Sequence, residues 1–214
     1  MTQQPELNYA EREIQAFAGG ADPEQQAQWL VEHHMLDAVT TPYEVSADTN
    51  WVRPGAETYI LQFSILTPRT QARFIAKACI KVPVAECLQE WLDRRHLLAD
   101  LGVATPQLHA VGRGTIIEEY IPYDLPTAYQ RSTPPQRTQL RAAYTDTYQR
   151  VWNSGFRPIS LHDARSRGSD VLLVDFGSDL GGRQAQDTPS ATPEDAYTKA
   201  QSSLEQLLGA SFAE

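Results

Sequence analysis

The sequence predicts an α+β fold built in two parts, and three observations predict it. Residues 57 to 82 hold two runs of alternating apolar side chains around the short polar link "TPRTQA", the pattern of an antiparallel hairpin. Residues 84 to 101 and 136 to 153 repeat their apolar positions at helical spacing. The resulting order is strands, helix, strands, connector, helix, hairpin, helix, without the regular strand–helix alternation of a doubly wound parallel sheet.

Composition sets the class. A chain of 214 residues fits one large domain or two small lobes and can bury a core. With 41% hydrophobic and 21% charged residues, it has a globular rather than a disordered balance. The formal charge of −9 argues against nucleic acid as a partner, because phosphate contacts need a concentrated basic surface, and Arg165 and Arg167 are too sparse to make one. Cys79 and Cys87 read as reduced core thiols. The start "MTQQPELNYAEREIQ" has no apolar signal core, and no run reaches the ~20 apolar residues that span a bilayer. The expectation is a cytoplasmic protein with no membrane partner.

Residues 9 to 37 read as helical, broken at "GGADPEQQ". Asp22 is placed to cap the second piece, with Pro23 at its first position and Gln25 three after the cap. Trp29, Leu30, His33 and Leu36 form its apolar stripe. A strand is expected near 43–51, with "RPGA" as its turn. In the strand "ETYILQFSIL", Tyr59, Leu61, Phe63 and Ile65 share a face, and "RFIAKACIKV" follows as its partner. Pro83 closes that strand and opens a helix whose face carries Val84, Cys87, Leu88, Trp91, Arg95 and Leu98, with Gly102 as the stop.

"TPQLHAVGRGTIIEEYIP" reads as two short strands about a Gly-Arg-Gly turn. "DLPTAYQRSTPPQ", with three prolines, reads as a connector and lobe boundary. Leu140, Tyr144, Tyr148 and Val151 face inward on the next helix, which Gly155 ends. "PISLHDA", "RSRGS" and "DVLLVDFG" then read as strand, turn and strand, and a last helix begins at Thr192 with Pro193 and Asp195 in its first turn. The expected parts are an N-terminal helical extension at 1–41, a strand-rich lobe at 42–124, and a C-terminal lobe at 125–214.

A lysine strand, a glutamate-bearing helix, a strand running into "EEYIP", a long helix and a hairpin ending in Asp175-Phe176-Gly177 occur in that order. This arrangement resembles the protein-kinase-like fold, in particular its small-molecule branch of aminoglycoside phosphotransferases and choline or homoserine kinases. "LADLGVATPQLHAVGRGTIIEEYIP" is similar to the segment those enzymes run from helix to hinge, and the likeness covers about residues 43 to 182. It implies a two-lobed kinase-like fold with an N-terminal helical extension and a reduced C-terminal lobe, in which little beyond one helix follows Asp175. It also implies ATP and Mg²⁺ as cofactors, a small-molecule substrate, and a protein partner if catalysis is impaired.

Phosphoryl transfer needs positioning and charge neutralisation more than covalent help. The resemblance assigns Asp175 to the metal and a strand lysine to the phosphates. Lys77 and Lys81 share a strand face, so alternation does not choose between them. Lys77 is favoured because it is mid-strand, whereas Lys81 stands two residues before Pro83. Glu90 is preferred to Glu86 as its partner, because at about 100° per residue Glu90 lies nearer the apolar stripe. The backbone of Glu119, Tyr120 and Ile121 would pair with an adenine edge. The expected phosphate-covering loop, "ADTNWVRPGAETY", holds one glycine and would cradle phosphate poorly.

The catalytic loop allows two registers. If "HDARSRGSD" is the loop, Asp163 is the base and Asp170 the metal-binding residue, but "VLLV" is then too short for the hairpin. If "ISLHDA" and "DVLLVDFG" are the hairpin arms, Asp163 is a second metal ligand, and Pro158 stands where the base belongs. Turn chemistry favours the second register. The leading function is ATP- and Mg²⁺-dependent phosphotransfer to a small molecule. The alternative is an impaired relative that binds nucleotide or a partner.

Overall fold

The computed structural model describes residues 23–47, 58–79, 83–112, 114–156, 158, 161, 163–176, 180 and 193–210. It divides into two compact units, Met1–Glu90 with Gln107–Tyr120 and Trp91–Pro106 with Ile121–Glu214. Among the described residues there are five helices and two antiparallel sheets.

The first unit is built on a five-stranded sheet. Its strands are β1 (Glu44–Ala47), β2 (Thr58–Leu66), β3 (Gln71–Cys79), β4 (Leu108–Val111) and β5 (Thr115–Glu119), in spatial order β1-β2-β3-β5-β4. The β2–β3 hairpin has the expected pairing, with Phe63 opposite Phe74 and Ile60 opposite Lys77. Alternation gives this sheet one apolar face: Leu61, Phe63, Ile65, Phe74, Ala76 and Ile117 are all buried, together with Leu30, Met35 and Leu36. The side chain of Tyr59, expected on that face, lies outside the described residues.

Helix α1 (Pro23–Glu32) supplies Leu30 to this core, but it stops before the expected residue 37. His34 turns left-handed at φ 57, and the amides of Met35 and Leu36 both donate to the Leu30 carbonyl, at 2.8 and 3.2 Å. That is a left-handed helix terminus built without glycine. His109 Nδ1 then sits 3.1 Å from the His33 carbonyl, and its ring meets Phe74 edge-on. The predicted helical residues 9–22 lie outside the described residues.

Helix α2 (Val84–Asp100) starts where Pro83 predicted. In the second unit, β6 (Tyr123–Asp124), β7 (Ala164–Arg167) and β8 (Asp170–Leu173) form a small sheet beside α3 (Leu125–Arg131), α4 (Pro134–Asn153) and α5 (Pro193–Ala210). The predicted inner face of α4 is the core: Leu140, Tyr144, Tyr148 and Val151 are at most 1% exposed. A fully buried leucine contributes roughly 1.5–3 kcal/mol.

Two expectations are corrected here. The proline-rich connector contains α3, because Asp124 caps its first turn by accepting from the Thr127 amide at 2.8 Å and Pro126 fits that turn. The first arm of the late hairpin is Ala164–Arg167 rather than "ISLHDA". Arg167 pairs with Asp170, and Gly168, at φ 65, lets Gly168-Ser169 close the turn.

Candidate functional site

Lys77 sits in the middle of β3, with Ile116 of β5 opposite and Glu118 diagonal to it on the same face. Its Nζ lies 2.8 Å from Glu118 Oε2, and the two side chains are 12% and 1% exposed. A carboxylate sunk this far costs several kcal/mol of desolvation unless it is paired, and the ammonium above it supplies the partner. The carboxylate seen paired with Lys77 is thus that of Glu118, while Glu90, the expected partner, is exposed on α2, as is Glu86. Strand pairing, which a helical wheel leaves out, brings the Glu118 carboxylate to Lys77. Lys81 and residues 48–57 of the expected phosphate-covering loop lie outside the described residues.

The backbone of Glu119, Tyr120 and Ile121, expected to meet an adenine edge, is already engaged. The Glu119 amide donates to the Gln107 carbonyl at 2.8 Å, and the Tyr120 amide to the Arg73 carbonyl at 3.3 Å. Glu119 Oε2 accepts from the Gln107 amide. Within the second unit, the Ile121 carbonyl accepts from Arg165 Nη1 at 2.9 Å. An adenine edge at this segment must share these groups or use the others that it offers.

In the second unit, Asp163 immediately precedes β7 and Asp175 follows β8 by two residues. Ala164 faces Leu173 across the ladder, so both acids stand at the open end of one hairpin. Both are half-buried, while Asp170 is exposed at the opposite, turn end. The strand exit is held in place: the Leu173 amide donates to the Ala104 carbonyl at 3.0 Å, and Arg94 Nη1 reaches the Phe176 carbonyl at 3.4 Å. The Phe176 side chain is buried in the core. Gly177 lies outside the described residues.

The segment around Pro158, where the sequence reading expects a base, is tied to α4 by hydroxyl groups. Tyr148 donates to the Pro158 carbonyl at 2.6 Å, and the Leu161 amide donates to Tyr144 Oη at 3.2 Å. Tyr144 Oη also lies 2.6 Å from Ser203 Oγ of α5. Phe156 and Leu161 are buried beside them. Pro158 has no ionisable group, so this position cannot accept a proton from a substrate at neutral pH.

A groove of about 740 Å³ lies elsewhere in the first unit, along α1 and residues 39–45, and Gln26, Tyr43 and Glu44 are among its lining. Among the described residues, none of the predicted site residues lines it. The Tyr43 hydroxyl donates to Gln26 Oε1 there. Among the described residues, no helix is long and apolar enough to cross a membrane.

No protein-family model and no curated protein matches the chain. Among solved structures, it is similar to the ADP-bound aminoglycoside phosphotransferase APH(2'')-Ib, at 12% identity and TM-score 0.30. It is also similar to APH(2'')-IIa in its ternary complex with streptomycin and ATP, at 11% identity and TM-score 0.29. Each match covers 56% of this chain and 38% of the other, so the chain spans well under half the length of these enzymes. A likeness this distant leaves function to be read from the residues themselves.

Proposed function

We propose that this protein is a kinase-like phosphotransferase that passes a phosphoryl group from ATP to a small molecule, with Mg²⁺ at the phosphates. The observation that carries this reading is the pair of carboxylates, Asp163 and Asp175, at the open end of the β7–β8 hairpin. Two hard oxygen donors fit Mg²⁺, which commonly takes one or two protein carboxylates and fills its shell with water and substrate phosphate. A bound Mg²⁺ would supply charge neutralisation at the phosphate oxygens. In this reading Asp175 and Asp163 hold the metal, and Lys77 offers a positive charge to the phosphates.

A second reading is favoured by Pro158. With a proline in the base position and its carbonyl engaged by Tyr148, the chain would bind nucleotide and transfer slowly or not at all. Positioning and charge stabilisation alone still support some rate when a base is missing.

Thermal unfolding with ATP, with and without Mg²⁺, tests both readings. The phosphotransferase reading predicts a metal-dependent rise of roughly 5–10 °C at about a hundredfold excess over Kd, abolished by Asp175→Ala. Release of labelled phosphate to a panel of small hydroxyl or amine acceptors should accompany it. A rise without any transfer supports the second reading. No rise with any nucleotide defeats both.

A further inference from the structure

We infer that Glu118, on the strand beside Lys77, is the residue that positions the Lys77 ammonium, so that the lysine is anchored within the sheet and not by helix α2. This deepens the nucleotide-binding reading above and rests on it. Three observations lead here. The Nζ–Oε2 distance is 2.8 Å, the carboxylate is 1% exposed and the ammonium 12%. The deeper partner is therefore the acid, and the lysine stands over it toward the more open side.

The register makes the anchor rigid. Phe74, Ile75, Ala76, Lys77 and Ala78 pair one by one with Glu119, Glu118, Ile117, Ile116 and Thr115. Lys77 and Glu118 are thus fixed as diagonal neighbours by five ladder pairs, a separation that long side chains bridge readily. Ile116, on the same face, is 2% exposed and fills the space beside the pair. On α2, Glu86 and Glu90 are both exposed.

The physical consequence concerns order. A lysine stem has four rotatable bonds and loses much rotamer freedom when it is fixed. A lysine already fixed by Glu118 has lost that freedom before a phosphate arrives. Because the anchor lies one strand away, it does not depend on the Glu86 or Glu90 carboxylate of α2. The lysine end of the site is therefore assembled in the unliganded protein.

The test compares ATP with AMP, which shares the base and sugar but has one phosphate. Binding of each by the full chain is measured by calorimetry in the wild type, Glu118→Ala, Glu118→Gln and Glu90→Ala. Positioning predicts that Glu118→Ala raises the ATP Kd about tenfold relative to that of AMP. Glu118→Gln, which keeps an oxygen to hold Nζ, should restore most of it. If Glu118→Ala does not fold, Glu118→Met refills the volume and is measured instead.

A Glu118 variant that lowers Tm but leaves the ATP-to-AMP ratio unchanged overturns the inference and makes the pair purely structural. Tighter ATP binding in Glu118→Ala also overturns it, since the carboxylate would then be competing with phosphate. So does Glu90→Ala reproducing the loss. A wild type that binds neither nucleotide overturns the nucleotide reading itself, a different outcome from binding that ignores Glu118.

Discussion

In the first unit a buried charge is held by a charge, and in the second buried polar groups are held by neutral hydroxyls. Lys77 and Glu118 face each other from adjacent strands, whereas Tyr144 and Tyr148 reach from one helix to the backbone of residues 158 and 161. The two solutions respond differently to loss of a member. An ion pair in a sheet leaves a buried charge when one side is removed, which is far costlier than an unmet hydroxyl partner. The second unit can therefore lose a tether and stay folded with a looser loop, but in the first, loss of the lysine strands a buried carboxylate.

This contrast is best broken with the lysine. Lys77→Met leaves Glu118 buried without its ammonium, and urea denaturation should show a loss of about 3–5 kcal/mol. Glu118→Met should cost less, because the lysine is the more exposed member and can turn its amine toward water. The double Met variant should recover most of the loss of Lys77→Met. If that single variant proves no worse than the tyrosine variants below, the two units do not differ as described.

Next in size is Tyr144→Phe, which removes one oxygen serving both the Leu161 amide and Ser203. Leaving those groups unmet should cost about 2 kcal/mol in the same assay. Tyr148→Phe removes a single hydrogen bond to the Pro158 carbonyl and should cost about 1 kcal/mol, with faster amide exchange confined to the 154–163 segment.

The smallest effect sharpens the comparison from outside it. Arg141 pairs with Glu205 at 2.5 Å, but the two side chains are 35% and 60% exposed. The Glu205 carboxylate and the Tyr129 hydroxyl raise the Arg141 pKa above its ordinary value, so this guanidinium stays charged throughout the working pH range. Arg141→Ala should nevertheless cost no more than about 1 kcal/mol, and part of that loss should vanish at high salt. Charge pairing alone does not make a contact costly to lose; burial of its members does.

Much of the fold was legible in the sequence because its periods are strong. The β2–β3 alternation, the α2 start at Pro83 and the α4 inner face with Leu140, Tyr144, Tyr148 and Val151 all follow from local spacing. Local spacing did not suffice where a distant partner decides. "ISLHDA" looks like a strand arm, but the Leu161 amide is taken by Tyr144 on α4, and pairing begins only at Ala164. The α3 helix was hidden by counting prolines, although Asp124 with Pro126 is a helix start.

The site shows the same division. Turn chemistry put Asp163 beside the expected "RSRGS" turn and Asp175 at the far end of the second arm, and it is the Arg167–Asp170 closure that leaves both acids at the open end of one hairpin. Glu118 could not be singled out, because "EEY" offers two acids and only the β3–β5 register tells which one meets Lys77. A wheel drawn for α2 proposed Glu90 because it treats a helix without its neighbours.

The diagonal pair also has a consequence for the order of folding. Lys77 reaches β2 through a tight hairpin, but Glu118 arrives on β5 only after α2 and β4 have been laid down between them. Closing so long a stretch of chain is entropically slower than closing a hairpin. Until then the ammonium is hydrated in a partly built sheet, and the ion pair forms among the later contacts. Substitutions in the β2–β3 hairpin should therefore change the refolding rate, while those at Lys77 or Glu118 should act chiefly by speeding unfolding, as separate limbs of a stopped-flow chevron would show.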